Sequence, residues 1–129
     1  MPDRPLIRVC YVEDDEDIQR IVRMSLERIG KMTVTVVGDP TKAIDAIREF
    51  KPDLVMLDWM MPVMDGPTVF RTMKTLPETS GLPVVFITAK AAQRDTDELL
   101  KLGAAGVLSK PFSPKDLPDQ LRAVWSKLP

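Results

Sequence analysis

The sequence predicts an α/β fold in which five strands form one parallel sheet with helices on both faces. Short apolar runs alternate five times with longer amphipathic stretches along the chain. Two of the runs, "DLVMLD" and "PVVFIT", are almost continuously apolar, which is typical of strands covered on both faces. Strands that alternate with helices form parallel sheets through right-handed crossovers, so one sheet accounts for the whole pattern.

The size and composition of the chain fit one globular domain, residues 1–129, with a single core between about residues 7 and 127. Of its residues, 44% are hydrophobic and 29% are charged. A formal net charge of -1 gives no electrostatic footprint for nucleic acid or for an anionic membrane surface. The N-terminal apolar run is too short for a signal peptide or a membrane span, so we expect a cytoplasmic protein.

The first half of the chain contains two predicted strand–helix units. "LIRVCYV" (Leu6–Val12) and the β-branched "TVTVV" (Thr33–Val37) are the strands. The first helix ends at Gly30, and its expected apolar face is Ile18, Ile21, Val22, Leu26 and Ile29. The second begins with Asp39 as N-cap and Pro40 in its first position. Its apolar face is Ala43, Ile44, Ile47 and Phe50.

The second half contains three more units. The predicted strands are "DLVMLD" (53–58), "PVVFIT" (Pro83–Thr88) and "GVLS" (Gly106–Ser109). A helix over "GPTVFRTMKTL" lies between the first two, and "RDTDELLKLG" forms a helix that ends at Gly103. In the last helix, Pro118 either distorts the first turn or marks where the regular helix starts. Its inward residues are Leu117, Leu121, Val124, Trp125 and Leu128.

Chemically useful side chains follow four of the five predicted strands, at the point where each strand ends. They are Glu13, Asp14 and Asp15 after the first strand, Asp58 after the third, Thr88 and Ala89 after the fourth, and Lys110 and Pro111 after the fifth. Only the second strand, which ends near Gly38, lacks such a residue close by. Ligands of open α/β sheets bind beyond the carboxyl ends of the strands, so these positions predict one site.

The residue types at this edge suit phosphoryl transfer. Clustered carboxylates attract a hard cation such as Mg²⁺ (or Mn²⁺), and a carboxylate can attack phosphorus to give an acyl phosphate. Lys110 would add positive charge, Thr88 would donate a hydrogen bond to the phosphoryl group, and the small Ala89 would leave room for it. The chain has no histidine, which excludes a histidine-based triad, a histidine-ligated zinc site and a histidine phosphoacceptor. The one cysteine, Cys10, excludes an internal disulfide.

Each of these residues also has a plainer interpretation when it is taken alone. Asp14 could cap the next helix, and Asp58 could be a turn residue before Pro62. Thr88 could be an ordinary strand threonine, and Lys110 a solvated charge. Their joint occurrence at matching strand ends favours a functional site.

Four segments, "YVEDD", "VMLDWMMPVMDG", "VVFITAK" and "LSKPF", resemble in order and spacing the motifs of the response regulator receiver domain of two-component signalling, the CheY-like family. The resemblance covers about Ile7 to Lys127. It implies a flavodoxin-like sheet with strand order 2-1-3-4-5. It also implies a signalling phosphoacceptor that assists its own phosphorylation and dephosphorylation, rather than an enzyme.

The resemblance implies a role for each motif residue. Asp58 matches the phosphorylated aspartate, Thr88 the switch hydroxyl and Lys110 the lysine of the "KPF" motif, with a cis bond to Pro111. The remaining matches are Glu13 and Asp14 as the acidic pair, with Asp14 the direct metal ligand and Glu13 acting through water, Ala89 in the phosphoryl pocket, Met60 as a metal ligand through its backbone carbonyl, and Pro62 and Gly66 as loop-shaping residues.

The implied partners are a phosphoryl donor and a protein that responds to the phosphorylated state. The donor is a sensor histidine kinase, a phosphotransfer protein or a small phosphodonor, and the response comes from a downstream protein or an output domain. We expect neither direct nucleic-acid binding nor membrane contact by this chain. Apolar residues such as Val107 and Leu108 could support a dimer.

Two departures from the family pattern affect switching and the lifetime of the phosphoryl group. Val107 stands where a tyrosine or phenylalanine is common, so the usual inward swing of an aromatic ring cannot occur. Met60, two residues after Asp58, replaces a frequently polar residue. Met60 could shield the acyl phosphate from water, and Lys90 could guide water or the donor, so Met60→Asn should change the phosphoryl lifetime.

Two functions other than that of a receiver share part of this pattern of residues. A phosphatase of the haloacid dehalogenase type normally has a second acid two residues after its nucleophile, where this chain has Met60, and the chain is short for a cap domain. A pseudo-receiver that acts only as an interaction module would usually lack the acceptor, the acidic pair or the lysine. All of these are present, and only Val107 favours that alternative.

Overall fold

The computed structural model describes residues 2–89 and 93–129, with the side chains of residues 93–95 excepted. Its strands are β1 (Arg8–Val12), β2 (Thr33–Val37), β3 (Leu54–Asp58), β4 (Val84–Thr88) and β5 (Gly106–Ser109). They form one parallel sheet in the order β2-β1-β3-β4-β5. The predicted fold class and strand order are confirmed, and β2 and β5 have the predicted bounds.

The connecting helices lie at the predicted places. They are α1 (Glu16–Met24), α2 (Ala43–Phe50), α3 (Gly66–Thr75), α4 (Gln93–Lys101) and α5 (Leu117–Ser126). A short 3-10 turn, Pro40–Lys42, precedes α2, and the Asp39 side chain caps that turn by accepting from the Thr41 N–H. Of the two alternatives for the last helix, the regular helix starts near Pro118, which lies in its first turn, where the missing N–H does little harm.

The sheet divides the interior into two apolar clusters, where the sequence predicted a single core. Successive side chains of a strand point to opposite faces, so Cys10 and Val12 lie in one cluster, and Val9 and Tyr11 in the other. The first cluster lies against α2 and α3, and the second against α1 and α5. Burial raises the pKa of Cys10 to about 12, which fits an unreactive packing residue.

The predicted apolar face of the first helix is partly wrong. Ile21 and Ile29 are 43% and 49% exposed, although Val22 and Leu26 are buried as expected. After Met24 the helix continues as a π-helix, Ser25–Ile29, and the Gly30 N–H accordingly donates to the Ser25 carbonyl. A π-turn is wider than an α-turn, so it rotates Ile29 away from the core-facing side.

The Asp53 carboxylate binds the N-terminal segment at the amino edge of the sheet. Asp53 accepts hydrogen bonds from the Ile7 and Arg8 N–H groups at 3.1 and 2.9 Å and pairs with Arg4. The Trp125 indole N–H donates to the Arg4 carbonyl at 2.8 Å. The N-terminal segment is thereby attached to both β3 and α5. Among the described residues, no helix has the length and apolar character needed to cross a membrane.

Candidate functional site

The backbone brings the predicted site residues together at the carboxyl edge of the sheet. Strands β1 and β3 are neighbours, so Glu13 and Asp58 emerge side by side after the paired residues Val12 and Leu57. On the other side of β3, the Lys110 N–H donates to the Thr88 carbonyl at 2.8 Å, which extends the ladder between β4 and β5 by one bond. Such hydrogen bonds between neighbouring strands fix the backbone position from which each side chain extends. The sequence predicts which residues lie at this edge but does not give these positions.

Lys110 joins two buried carboxylates. Its Nζ lies 2.8 Å from Glu13 Oε1 and 3.1 Å from Asp58 Oδ1. The side chains of Glu13 and Asp58 are only 1% and 7% exposed, against 19% for Lys110. Two carboxylates and one ammonium leave a net negative charge in a region with little water, and this charge favours the arrival of a further cation.

Asp14 completes a group of carboxylates that fits a divalent cation. Oxygen atoms of Glu13, Asp14 and Asp58 all lie within 4.8 Å of one another, and Asp14 is the exposed member. Hard oxygen ligands at the solvent boundary are the donors that Mg²⁺ prefers, because the ion keeps several of its waters. The Met60 side chain is 75% exposed at the rim, and the part played by its backbone carbonyl stays a prediction.

The two buried carboxyl groups differ in acidity because their partners differ. Burial and the neighbouring charge of Glu13 raise the pKa of Asp58 to about 7, although Lys110 opposes the rise. Burial also disfavours ionisation of Glu13, but the hydrogen bonds from Lys110 and Tyr11 outweigh it and lower the pKa of Glu13. Below about pH 7 the Asp58 carboxyl group is therefore mainly protonated, whereas Glu13 ionises more readily than an ordinary glutamate.

Tyr11 also belongs to this hydrogen-bond network, although the sequence pattern predicts only that it lies on a strand. Its hydroxyl donates to Glu13 Oε1 at 2.8 Å, and its ring is fully buried. Burial and the charge of Glu13 raise the pKa of Tyr11, so the hydroxyl stays protonated and remains a donor. The spacing Tyr-x-Glu was the available signal, since residues two apart on a strand share a face and a buried tyrosine usually needs a polar partner.

The remaining predicted residues lie at or just after the ends of β4 and β5, on the same edge of the sheet as Asp58. Thr88 is half-buried at the end of β4, and Ala89 is exposed beside it. An apolar groove of about 410 Å³ is lined by Ile18, Ile21, Ala89, Lys110, Pro111 and Phe112. The predicted cis bond between Lys110 and Pro111 is confirmed. Lys90 lies outside the described residues.

Gly66 allows the loop after Asp58 to fold back onto the Asp58 backbone. Its N–H donates to the Trp59 carbonyl at 3.1 Å, and Asp65 caps α3 by accepting from the Thr68 N–H. A Cβ at position 66 would lie 2.3 Å from the Asp58 carbonyl oxygen. Since the obstructing atom belongs to the backbone of the acceptor itself, only glycine fits without moving Asp58.

We expect Gly66→Ala to destabilise the protein by about 1 to 3 kcal/mol, the usual range for an overpacked site. It should also slow phosphorylation of Asp58, because relieving the clash displaces the acceptor. Urea denaturation and phosphorylation by acetyl phosphate measure the two effects. Gly81→Ala is the matched control, since a Cβ at the exposed Gly81 would meet nothing within 4 Å. Equal behaviour of the two variants would contradict the prediction.

A series of edge-to-face aromatic contacts begins at Trp59, next to Asp58, and continues into the first core cluster. The ring of Trp59 meets the edge of Phe86 at 5.9 Å between centroids, and Phe86 meets Phe70 of α3 at 5.4 Å. Val107 pairs with Phe86 across β4 and β5 and packs partly buried against this cluster. No aromatic ring on β5 is available to swing inward, as the sequence indicated.

Comparisons with known proteins agree with this site. The model of the response regulator receiver domain matches residues 9–122. The chain is 40% identical over 116 residues to the DNA-binding response regulator MtrA of Mycobacterium tuberculosis H37Rv, which covers 90% of this chain and 49% of MtrA. It is 35% identical over 121 residues to the phosphate regulon transcriptional regulatory protein PhoB of Escherichia coli K12, which covers 94% of this chain and 52% of PhoB. The chain thus spans about half the length of these curated relatives.

Solved structures give the same result. The chemotaxis protein CheY4 of Vibrio cholerae superposes with a TM-score of 0.84 at 25% identity, covering 92% of this chain and 98% of that one. The receiver domain of Francisella response regulator 1452 has a TM-score of 0.82 at 27% identity, covering 96% and 98%. Neither alternative function gains support from these matches. The chain belongs to the response regulator receiver domain family, the phosphoacceptor modules of two-component signalling.

Proposed function

We propose that Asp58 accepts the phosphoryl group, and that Glu13, Asp14, the Met60 carbonyl and Asp58 itself hold Mg²⁺ (or Mn²⁺). The observation that carries the proposal is the contact of a buried Asp58 with Lys110, next to two further carboxylates. Without such partners, an aspartate in an apolar interior would destabilise the fold, because its ionised form is not solvated by water. A site that binds a cation and a phosphoryl group together would account for this cluster of charged side chains.

In the proposed reaction, an Asp58 carboxylate oxygen attacks the phosphorus atom and forms an acyl phosphate. The bond to the leaving group breaks, and its electron pair departs with the donor's imidazole nitrogen or with acetate. Lys110 binds a phosphoryl oxygen, and the Thr88 hydroxyl donates to another. When bound, the divalent ion supplies positive charge that neutralises the carboxylates and the phosphoryl oxygens. Later attack by water returns Asp58 to its free form, so the chain is a signalling phosphoacceptor and not an enzyme with a separate substrate.

The physiological donor, we infer, is a phosphohistidine on a sensor kinase or a phosphotransfer protein. The 129 residues contain no histidine, so a phosphohistidine donor must lie outside them. A kinase donor of this kind places the chain in the cytoplasm. The apolar groove beside Lys110 adjoins the acceptor and offers a surface for the donor's helix. The response to phosphorylation belongs to a downstream protein or to an output domain, and relatives named as DNA-binding or transcriptional regulators support the latter.

Acetyl phosphate provides a direct test of the acceptor. The protein is incubated with Mg²⁺ and acetyl phosphate, and its intact mass is measured against time. We expect a gain of one phosphoryl group that is lost in Asp58→Asn and in the presence of a chelator. Phosphorylation of Asp58→Asn at the wild-type rate would overturn the assignment of the acceptor. Absence of any gain in wild type, also with histidine kinases as donors, would overturn the proposed function.

The exposed Met60 side chain gives a prediction about the lifetime of the phosphoryl group. We expect Met60→Asn to shorten it several-fold, because an amide at the rim can hold and orient the attacking water where a thioether cannot. Decay is followed by intact mass after the acetyl phosphate is removed. Met60→Leu is the control, since it keeps an apolar side chain of similar size. A decay rate of Met60→Asn equal to that of Met60→Leu would contradict the prediction.

A further inference from the structure

Tyr11 and Lys110 donate to the same atom. Both reach Glu13 Oε1, each at 2.8 Å, while Glu13 Oε2 accepts from the Asp15 N–H at 3.4 Å. Glu13 is 1% exposed, so water cannot easily replace a donor that leaves. The hydrogen bonds from Lys110 and Tyr11, together with one to Asp58, favour the ionised form of Glu13.

Phosphorylation takes one of the two donors away. In the proposed function, Lys110 turns from the carboxylates to an oxygen of the phosphoryl group. A buried carboxylate that loses its partner is strongly destabilised, and this loss would oppose the movement of Lys110. Tyr11 remains in place, because its ring is enclosed on all sides within the second core cluster.

We propose that Tyr11 is a positioning residue that holds Glu13 throughout the cycle, so that Lys110 is free to move to the phosphoryl group. The inference rests on the proposed function and extends it to a fully buried residue on β1. With Oε1 held by Tyr11, Glu13 keeps one orientation within the group of carboxylates that it forms with Asp14 and Asp58. Partners of this kind orient metal-binding carboxylates in many proteins.

The position of Tyr11 argues against a purely space-filling role. Its neighbours in the second core cluster are apolar residues, among them Val9, Val22 and Met56. Phenylalanine would fill the same volume without bringing a hydroxyl into the interior. The hydroxyl reaches a buried carboxylate on its own face of the sheet, two residues further along the strand.

The test compares Tyr11→Phe with wild type in two measurements. The first is the Mg²⁺ concentration that half-saturates the change in fluorescence of Trp59, which adjoins the acceptor. The second is the rate of phosphorylation by acetyl phosphate at saturating Mg²⁺. We expect Tyr11→Phe to raise the first about tenfold and to lower the second by a similar factor, the range seen when the partner of a metal ligand is removed.

Two further variants separate positioning from a general loss of stability. Val85→Ala opens a cavity in the same core cluster without contacting the site, so it should lower the melting temperature and leave both measurements unchanged. In a Glu13→Ala background, Tyr11→Phe should have little further effect, because no side-chain oxygen remains for the hydroxyl to hold.

The outcomes are distinguishable. Wild-type values for Tyr11→Phe in both measurements, or an undiminished effect in the Glu13→Ala background, would overturn the role of Tyr11. Wild-type protein that accepts no phosphoryl group would instead overturn the proposed function. The Mg²⁺ titration would even then test whether Tyr11 positions Glu13, because that measurement requires no phosphorylation.

Discussion

Asp58→Asn should stabilise the metal-free protein at pH 8 by about 2 to 4 kcal/mol, although it removes the proposed phosphoacceptor. The pKa of Asp58 is raised to about 7 by burial and by the charge of Glu13. Each unit of such a rise corresponds to about 1.4 kcal/mol of folding free energy once the group is ionised. Asparagine keeps the shape of the side chain and never ionises, so it avoids this penalty.

The gain should depend on pH in a defined direction. A carboxyl group with a raised pKa in the folded state contributes stability that is fully present below its unfolded pKa of about 4. That stability is lost as the pH rises through about 7. The advantage of Asp58→Asn should therefore be small near pH 4, grow up to about pH 7 and stay level above it. Saturating Mg²⁺ should reduce the advantage, because the ion neutralises the carboxylates of the wild-type protein.

Urea denaturation at a series of pH values, with and without Mg²⁺, measures this effect. Asp45→Asn, at an exposed position on α2, is the control and should change stability little at any pH. A gain that is the same at pH 4 and pH 8 would mean that asparagine improves packing rather than removing a charge. No gain at pH 8 would mean that the Asp58 carboxylate is well compensated in the folded protein.

Lys110→Met should slow phosphorylation by acetyl phosphate roughly 100-fold at pH 7, the scale for removing one donor to a developing charge. Two effects of the substitution act in the same direction. The phosphoryl group loses its ammonium partner, and Glu13 and Asp58 lose the cation that now lies 2.8 and 3.1 Å from them. The pKa of Asp58 should then rise further, so less of the attacking carboxylate is present at neutral pH.

The second effect can be separated from the first by raising the pH. Between pH 7 and pH 9 the rate of Lys110→Met should recover in part, since ionisation of Asp58 is restored and the missing ammonium is not. Lys115→Met, an exposed lysine in the segment between β5 and α5, is the control and should react as wild type does. A rate for Lys110→Met within threefold of wild type would remove Lys110 from the reaction.

Much of the site was predictable because a parallel sheet directs all of its carboxyl ends to one edge. Once "DLVMLD" and "GVLS" are assigned to strands, Asp58 and Lys110 must lie near that edge, and the structure places them in contact. The bounds of the first strand were less certain. It is predicted to start at Leu6, but β1 begins at Arg8, since the preceding Ile7 N–H bonds to the Asp53 side chain rather than to a neighbouring strand.

The features that the sequence did not reveal depend on contacts between segments distant along the chain. The exposed Ile29 results from a π-turn, and no helical pattern in the sequence distinguishes that turn from an α-turn. The bond from Tyr11 to Glu13 requires both residues to be buried beneath α1 and α5, which strand periodicity alone cannot establish. Both are cases in which tertiary packing decides what local propensity leaves open.

The fastening at the amino edge of the sheet has a consequence for chain connectivity. Pro2 and Pro129 line the same cavity at that edge, and Arg4 is bonded to both Asp53 and Trp125. A short glycine–serine linker should therefore join the two ends, and new ends could be opened at Gly81, an exposed position with free space around it. Gly81 lies at the amino edge of the sheet, and the carboxylates lie at the carboxyl edge. Such a circular permutant would therefore keep the hydrogen bonds between strands that position the carboxylates.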